Sequence, residues 1–337
     1  MKRNSLRILA AATTFVAVSS LHAAQLSGAG ASFPAPLYQR WAVEYNKLHP
    51  NVQVNYQSVG SGSGVKQFIQ GTVDFAASDA AMSDKETAEV PRGVKMIPAT
   101  AGSIVLAYNL PGIDNLKLSR EAYVGIFLGT IEEWNHDAIA KANPGVELPD
   151  EPINVAYRSD GSGTTFVFTQ CLSAISPEFK EEVGVGKTVP WPVGAGGKGN
   201  EGVTAMIKQA EGTIGYVEYG YAKHNKLQMA MVENKAGNFV APTDESGAAT
   251  LANVELPENL RVWPEDPTGA QDYPFVTLTW LLLYGTYDNA AKLEALKGFV
   301  KYGLTDGQTY ASDLGYIPLP ESVVEKSLAA LDSIISK

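Results

Sequence analysis

One cysteine, Cys171, occurs in 337 residues. A single thiol cannot close an internal disulfide, so the fold must rest on a large apolar core rather than on covalent bridges. Cys171 lies in a helix-like apolar stretch with no histidine at a suggestive spacing, and it is read as core packing. Histidine is also scarce. After residue 23 there are only His49, His136 and His224, each in a polar, helix-end context. No His-x-x-x-His or Cys-x-x-Cys pattern is present, so neither a metal nor another cofactor is expected. None of Ser32, Ser61, Ser63 or Ser162 stands in Gly-x-Ser-x-Gly, which argues against serine-hydrolase chemistry. An excess of basic residues is lacking too: the formal charge is −10. That speaks against a nucleic-acid partner, which needs a basic face. After residue 23 no apolar run reaches the length of a membrane span, and the most apolar, Thr277 to Tyr284, is strand-sized.

The N-terminus reads as an export signal. Met1 to Arg7 is basic, Ile8 to Val18 is apolar but short for a span, and Ser19 to Ala23 leads to a cleavage after Ala23. Leu21 is large for the position three before the cut, so the cut can shift by a residue or two. No cysteine stands there to carry a lipid. Loss of Lys2, Arg3 and Arg7 takes the formal charge from −10 to −13. A negative chain can still hold a small anion. Charges beyond about 8 Å are screened at physiological salt, so local dipoles and individual side chains set the potential inside a cleft.

What the chain does have is three strand–loop–helix junctions of one kind. Gly28 to Pro36 leads into a helix with apolar residues at Leu37, Trp41, Tyr45 and Leu48, and Pro34 and Pro36 suit a first turn. The alternating strand Asn51 to Tyr56 is followed by Gly60-Ser61-Gly62-Ser63-Gly64 and helix-like Val65 to Gln70. The apolar run Ile153 to Ala156 is followed by Arg158-Ser159-Asp160-Gly161-Ser162-Gly163-Thr164-Thr165 and helix-like Phe166 to Leu172. Such loops leave the first N–H groups of a helix unpaired and pointing outward, where the helix dipole favours an anion. Ser162, Thr164 and Thr165 add hydroxyls, Arg158 adds a charged fork, and Asp160 is placed to hold that fork. One such loop would be an ordinary helix cap. Three suggest a small, dry, multivalent pocket for an anion such as phosphate.

Other candidates weaken on inspection. Gly184-Val185-Gly186-Lys187-Thr188 resembles the end of a phosphate-binding loop, but position 181 is Glu and Val189-Pro190 stops any helix, so it reads as an ordinary loop. Gly194 to Asn200 reads as a loop that passes the cleft or caps the helix from Glu201 to Gln209. Asp79 ends the strand-like run Val73 to Asp79 and has two readings. It either caps the following turn or accepts a proton still carried by the ligand. HPO4 keeps one P–OH at neutral pH. Sulfate has none, and its oxygens would face the carboxylate at a cost of several kcal/mol.

Two long apolar strands, Ser103 to Asn109 and Thr277 to Tyr284, are separated by half of the chain. They are read as the crossings between two domains, one built from both ends of the chain and one from its middle. Glu211 to Tyr219 is read as a strand of the middle part, and Asp266 to Tyr273 as a surface loop.

The segments Gly28 to Pro36, Gly60 to Gln67, Val73 to Asp79 and Arg158 to Phe166 resemble, in order and spacing, the phosphate-binding protein family of the high-affinity phosphate ABC transporter (PstS). Trp191 to Asn200, Gly215 to Tyr219 and the tail Tyr316 to Pro320 are similar as well, so the likeness covers the chain after the export segment. The resemblance implies an α/β, two-lobed, type II periplasmic binding fold with the ligand cleft between lobes. Lobe I is expected at residues 24–104 plus 278–337 and lobe II at 105–277. It further implies phosphate contacts from Ser32, Phe33 through its N–H, Ser61, Asp79, Arg158, Ser162, Gly163 and Thr164, with Asp160 in support. Ser32 stands where the family usually has threonine, which keeps the hydroxyl, and Ser63 is expected to be a bystander. The implied protein is a periplasmic, monomeric, non-enzymatic receptor that delivers phosphate to permease subunits in the inner membrane.

Overall fold

The computed structural model describes residues 24–252 and 254–337; the expected export segment lies outside them. Nine strands form one mixed sheet: β1 (Ala24–Gly30), β2 (Val52–Ser58), β3 (Phe75–Ser78), β4 (Val94–Asn109), β5 (Asn154–Arg158), β6 (Ala195–Gly197), β7 (Thr213–Glu218), β8 (Gln228–Met229) and β9 (Val276–Tyr284). Their order is β2-β1-β3-β9-β4-β7-β5-β6, with β8 added on β4. Each wing is parallel: β1 with β2 and β3 on one side, β5 with β6 and β7 on the other. Between the wings run two antiparallel strands. β4 pairs with β9 over Val94 to Ser103, then passes to β7 over Ile104 to Asn109. β9 is buried along its whole length, as its unbroken apolar run demands.

The parallel wings explain where the loops go. Parallel strands end on the same side, and ligand sites of open α/β sheets lie outside those carboxyl ends. Ser32 follows β1, Ser61 follows β2 and Asp79 follows β3 on one wing. Arg158 ends β5, Gly199 follows β6 and Glu218 ends β7 on the other.

The helices form for local reasons. In α1 (Ala35–Leu48) proline fills the first turn, and Leu37, Tyr38, Trp41 and Tyr45 bury one face. In α3 (Gly163–Ile175) the Ser162 hydroxyl accepts the Thr165 N–H at 3.0 Å and so caps the N-terminus.

Some expectations shift. The helix after β2, α2 (Ser61–Ile69), starts four residues earlier than the glycines suggested. A methyl group at Gly64 would lie 2.5 Å from Gly30 Cα, so the helix rests directly on the β1 backbone. Close packing, not turn formation, is the use of that glycine. β4 begins at Val94 rather than Ser103, because Pro98 is tolerated where the pairing with β9 slips at Thr279/Trp280. Gly194 to Asn200 is not all loop: Ala195 to Gly197 forms β6, and the helix begins at Gly199 (α4, Gly199–Gln209). The Asp266 to Tyr273 segment is irregular, but its ends are buried rather than on the surface. Asp266 binds both ends of the Arg120 guanidinium, at 2.6 and 2.9 Å, and Asp272 accepts the Gly269 N–H. Asp266 is ion-paired and Asp272 is hydrogen-bonded to the backbone, which is what allows their burial.

Candidate functional site

The structure brings the predicted residues to one place and removes them from solvent. Ser61, Ser162 and Thr164 are 0% exposed, Ser32 and Asp79 1%, and Arg158 4%. Ser63 is exposed on α2, as expected of a bystander. Phe33 inserts its ring into the core against Tyr316, whose hydroxyl donates to the Phe33 carbonyl at 2.7 Å. That bond fixes the backbone of the turn between β1 and α1.

Arg158 is held at three points. Its Nε and Nη2 donate to the two carboxylate oxygens of Asp160 at 2.8 and 2.6 Å, and its Nη1 donates to Thr164 Oγ1 at 3.2 Å. Burial alone would lower the guanidinium, but the Asp160 bond and charge raise it above its ordinary value. Burial likewise pushes the Asp160 carboxyl up, yet the Arg158 bond and charge and the Gly199 N–H hold it below the usual range. A bidentate pair with every oxygen satisfied is the form in which such a pair survives burial.

Asp79 behaves differently. Burial pushes its carboxyl up to about 7, against the pull of the Thr279 hydroxyl, the Arg158 charge and Ser61, while Asp160 adds to the rise. Thr279 Oγ1, on β9, donates to Asp79 Oδ1 at 2.8 Å. Asp79 is therefore not a turn cap facing water. It is a buried acid turned toward a cluster of hydroxyls, with a proton that comes and goes near neutrality.

The two wings touch at the site. The Gly62 N–H donates to the Gly161 carbonyl at 2.8 Å, and the Tyr221 hydroxyl donates to the Ser32 carbonyl at 2.7 Å. Lys187 pairs with Glu86 at 2.7 Å, so the lysine of the loop at 184–188 bridges the wings. Gly163 leaves no room for a side chain: an added methyl would lie 2.5 Å from Ser61 Oγ and 2.7 Å from both Asp79 Cβ and Oδ2.

Chemically, the arrangement presents hydroxyls, a guanidinium and a helix N-terminus around one carboxyl group. It suits an oxyanion that can also give a proton. Cys171 is buried in the core with its thiol pushed up to about 12, first by burial. His49, His136 and His224 are exposed at helix ends.

Three residues escaped sequence reasoning. Thr279 sits in a run that reads only as buried strand. Trp263 donates its Nε1 to the Asp79 carbonyl at 3.2 Å from 184 residues away. Asn200 follows a glycine-rich stretch that signals only a turn. No local pattern marks any of them, because each acts through a contact made by the tertiary fold.

Comparison with known proteins places the chain. A PBP superfamily domain matches residues 16–306. The phosphate-binding protein PstS of Pasteurella multocida is 46% identical over 305 residues, covering 89% of this chain and 88% of that one. The phosphate-binding protein PstS of Haemophilus influenzae is 42% identical over 328 residues and 96% of each chain. Among solved structures, a high-affinity periplasmic phosphate-binding protein (PfluDING) bound with phosphate superposes with a TM-score of 0.74. It is 21% identical, and the match covers 90% of this chain and 93% of that one.

Proposed function

We infer that this chain, which belongs to the PstS family of phosphate-binding proteins, captures inorganic phosphate through the buried cluster at the ends of its two parallel wings. It has the type II periplasmic binding fold, and its role is that of a solute-binding protein of an ABC transporter, not of an enzyme. The observation that carries the site assignment is that the Ser61 and Thr279 hydroxyls, the Arg158 charge and Gly163 at the α3 N-terminus all meet at the buried Asp79.

In this reading Ser32, Ser61, Ser162 and Thr164 donate hydroxyls to HPO4, and Phe33 and Gly163 donate backbone N–H groups. Arg158 donates a charged hydrogen bond while Asp160 keeps its fork in plane. Asp79 accepts the one P–OH. Lobe I comprises residues 24–104 and 278–337 and lobe II residues 105–277, and they close on the ion by hinge motion in β4 and β9. The passage of β4 from β9 to β7 between Ser103 and Ile104 supports that boundary. The lobes in contact then form the loaded state, a monomer in the periplasm after removal of the export segment near Ala23, which docks on permease subunits of the inner membrane. Among the described residues no helix is long and apolar enough to cross a membrane.

Isothermal titration with phosphate and with sulfate at pH 8.5, above the value of about 7 to which burial raises the Asp79 carboxyl, tests the assignment. Phosphate is expected to bind and sulfate to fail. Sulfate binding as tight as phosphate would remove the role given to Asp79, and no phosphate binding would remove the assignment itself.

A second expectation concerns closure. Gly163→Ala places a methyl group where Ser61 and Asp79 approach to under 3 Å. Overpacking of this size costs about 1–3 kcal/mol, or roughly 5- to 150-fold in affinity. The clash lies between lobes and each lobe keeps its own packing, so the far-UV circular dichroism of the variant should match the parent's. Unaltered phosphate affinity would show that the lobes do not need this contact to hold the ion.

A further inference from the structure

Resting on that phosphate reading, we propose that Asn200 is a positioning residue that fixes the Ser32 and Thr164 hydroxyls as donors toward the ligand, and thereby sets the hydrogen-bond polarity of the site across both lobes. Asn200 is fully buried at the second position of α4. Its side-chain oxygen accepts the backbone N–H of Glu218 at 2.9 Å. A backbone N–H can only donate, so this bond decides the orientation of the amide. The oxygen faces Glu218, and the NH2 group faces the site.

From there the NH2 group donates to Ser32 Oγ at 2.9 Å and, at a longer 3.5 Å, to Thr164 Oγ1. The Asn200 backbone N–H donates to the same Ser32 oxygen at 3.0 Å. A serine hydroxyl has two lone pairs and one hydrogen. Asn200 occupies both lone pairs of Ser32, so the hydrogen must point elsewhere, to an acceptor. Thr164 Oγ1 is in the same condition, because it accepts from Arg158 Nη1 at 3.2 Å as well as from Asn200. Two hydroxyls, one on each wing, are thus turned into fixed donors by a single amide. A hydroxyl free to rotate could accept a ligand proton as readily as donate. Fixed donors accept nothing, which removes two competitors of Asp79 for the ligand proton and makes the site select for how the ligand carries its proton, not only for its shape.

A double-mutant cycle on phosphate affinity tests this with the full protein. Ser32→Ala removes a donor, and Asn200→Ala removes what orients it. If Asn200 acts through Ser32, the two losses overlap. The double variant is expected to bind at least ~5-fold more tightly than the product of the single losses predicts, in line with couplings between residues in contact. Additivity within about twofold would overturn the proposal. Asn200→Asp serves as the second variant. It keeps the shape and the acceptor for the Glu218 N–H but offers the hydroxyls an acceptor instead of a donor. Its affinity at pH 8 should fall by ~100-fold or more, as expected when charged hydrogen bonds are misdirected at a buried site, and the deficit relative to the parent should narrow as pH is lowered. Affinity equal to the parent's at pH 8 would show that Asn200 only holds the fold. The parent protein is titrated in parallel. Absence of phosphate binding there would count against the phosphate reading, whereas additive losses with a binding parent count against Asn200 alone.

Discussion

Asp79→Asn should make the phosphate-free protein more stable at neutral and alkaline pH while it destroys the discrimination of phosphate from sulfate. The stability half follows from proton linkage. The carboxyl titrates at about 7 in the fold, because burial disfavours its charge, against 3.8 as the ordinary value expected for the unfolded chain. Between those values the folded chain holds a proton that the unfolded chain has released, so stability falls as pH rises. A gap of about three pH units corresponds to roughly 4 kcal/mol, complete above pH 7 and absent below about pH 4. Asparagine keeps the acceptor for the Thr279 hydroxyl and carries no charge, so it escapes the penalty. Thermal unfolding of both proteins across pH 4 to 8, without phosphate, reads the difference directly. Parallel profiles would mean that Asp79 is not the group that titrates.

The selectivity half follows from the same charge. Sulfate is excluded because its oxygens would lie against a carboxylate, and amide NH2 removes that repulsion. Sulfate affinity should rise by about two to three orders of magnitude, since like charges in a desolvated site cost several kcal/mol. Phosphate affinity should fall by about ten- to a hundredfold with the loss of a charged hydrogen bond. The acid that makes the receptor selective is thus a burden on the unliganded fold. Ligand binding is what relieves it, because the ligand P–OH then donates a hydrogen bond to the carboxylate.

Arg158→Lys should be the most damaging conservative change in the molecule. The guanidinium makes three directed bonds from three nitrogens, two to Asp160 and one to Thr164. An ammonium is a point donor on a flexible stem and cannot reproduce that plane. It would take a charged donor from the half-buried Asp160, leaving Oδ1 with only the Gly199 N–H, and breaking a buried pair typically costs about 3–5 kcal/mol. Part of the loss falls on folding and part on binding. Phosphate affinity should drop by at least ~100-fold, and the urea midpoint should fall with it. A lysine variant within threefold of the parent in affinity would show that only the positive charge counts and that the fork has no role.

The chain's local patterns carry a good part of this account. The loops at Ser32, Ser61 and Ser162 were legible because small residues between a strand and a helix have few other uses when they recur three times. The buried strand read at Thr277 to Tyr284, observed from Val276, was legible because an unbroken apolar run must be covered on both faces. The start of α2 was not legible, since glycines at 60, 62 and 64 look like a turn until β1 is seen lying under Gly64. Asp79 stayed between two readings, because nothing in Ala77-Ser78-Asp79-Ala80 tells whether water reaches the carboxylate.

By itself the sequence determined the residue types at the site and their order, because local hydrogen bonding and helix capping depend on near neighbours. Only the tertiary structure decided how those groups act on one another. The Thr279 and Trp263 contacts to Asp79, the two-sided hold of Asn200 and the burial that lifts the Asp79 carboxyl all join residues far apart in the chain. Burial and electrostatics depend on everything within a few ångströms, and sequence separation carries no record of that distance.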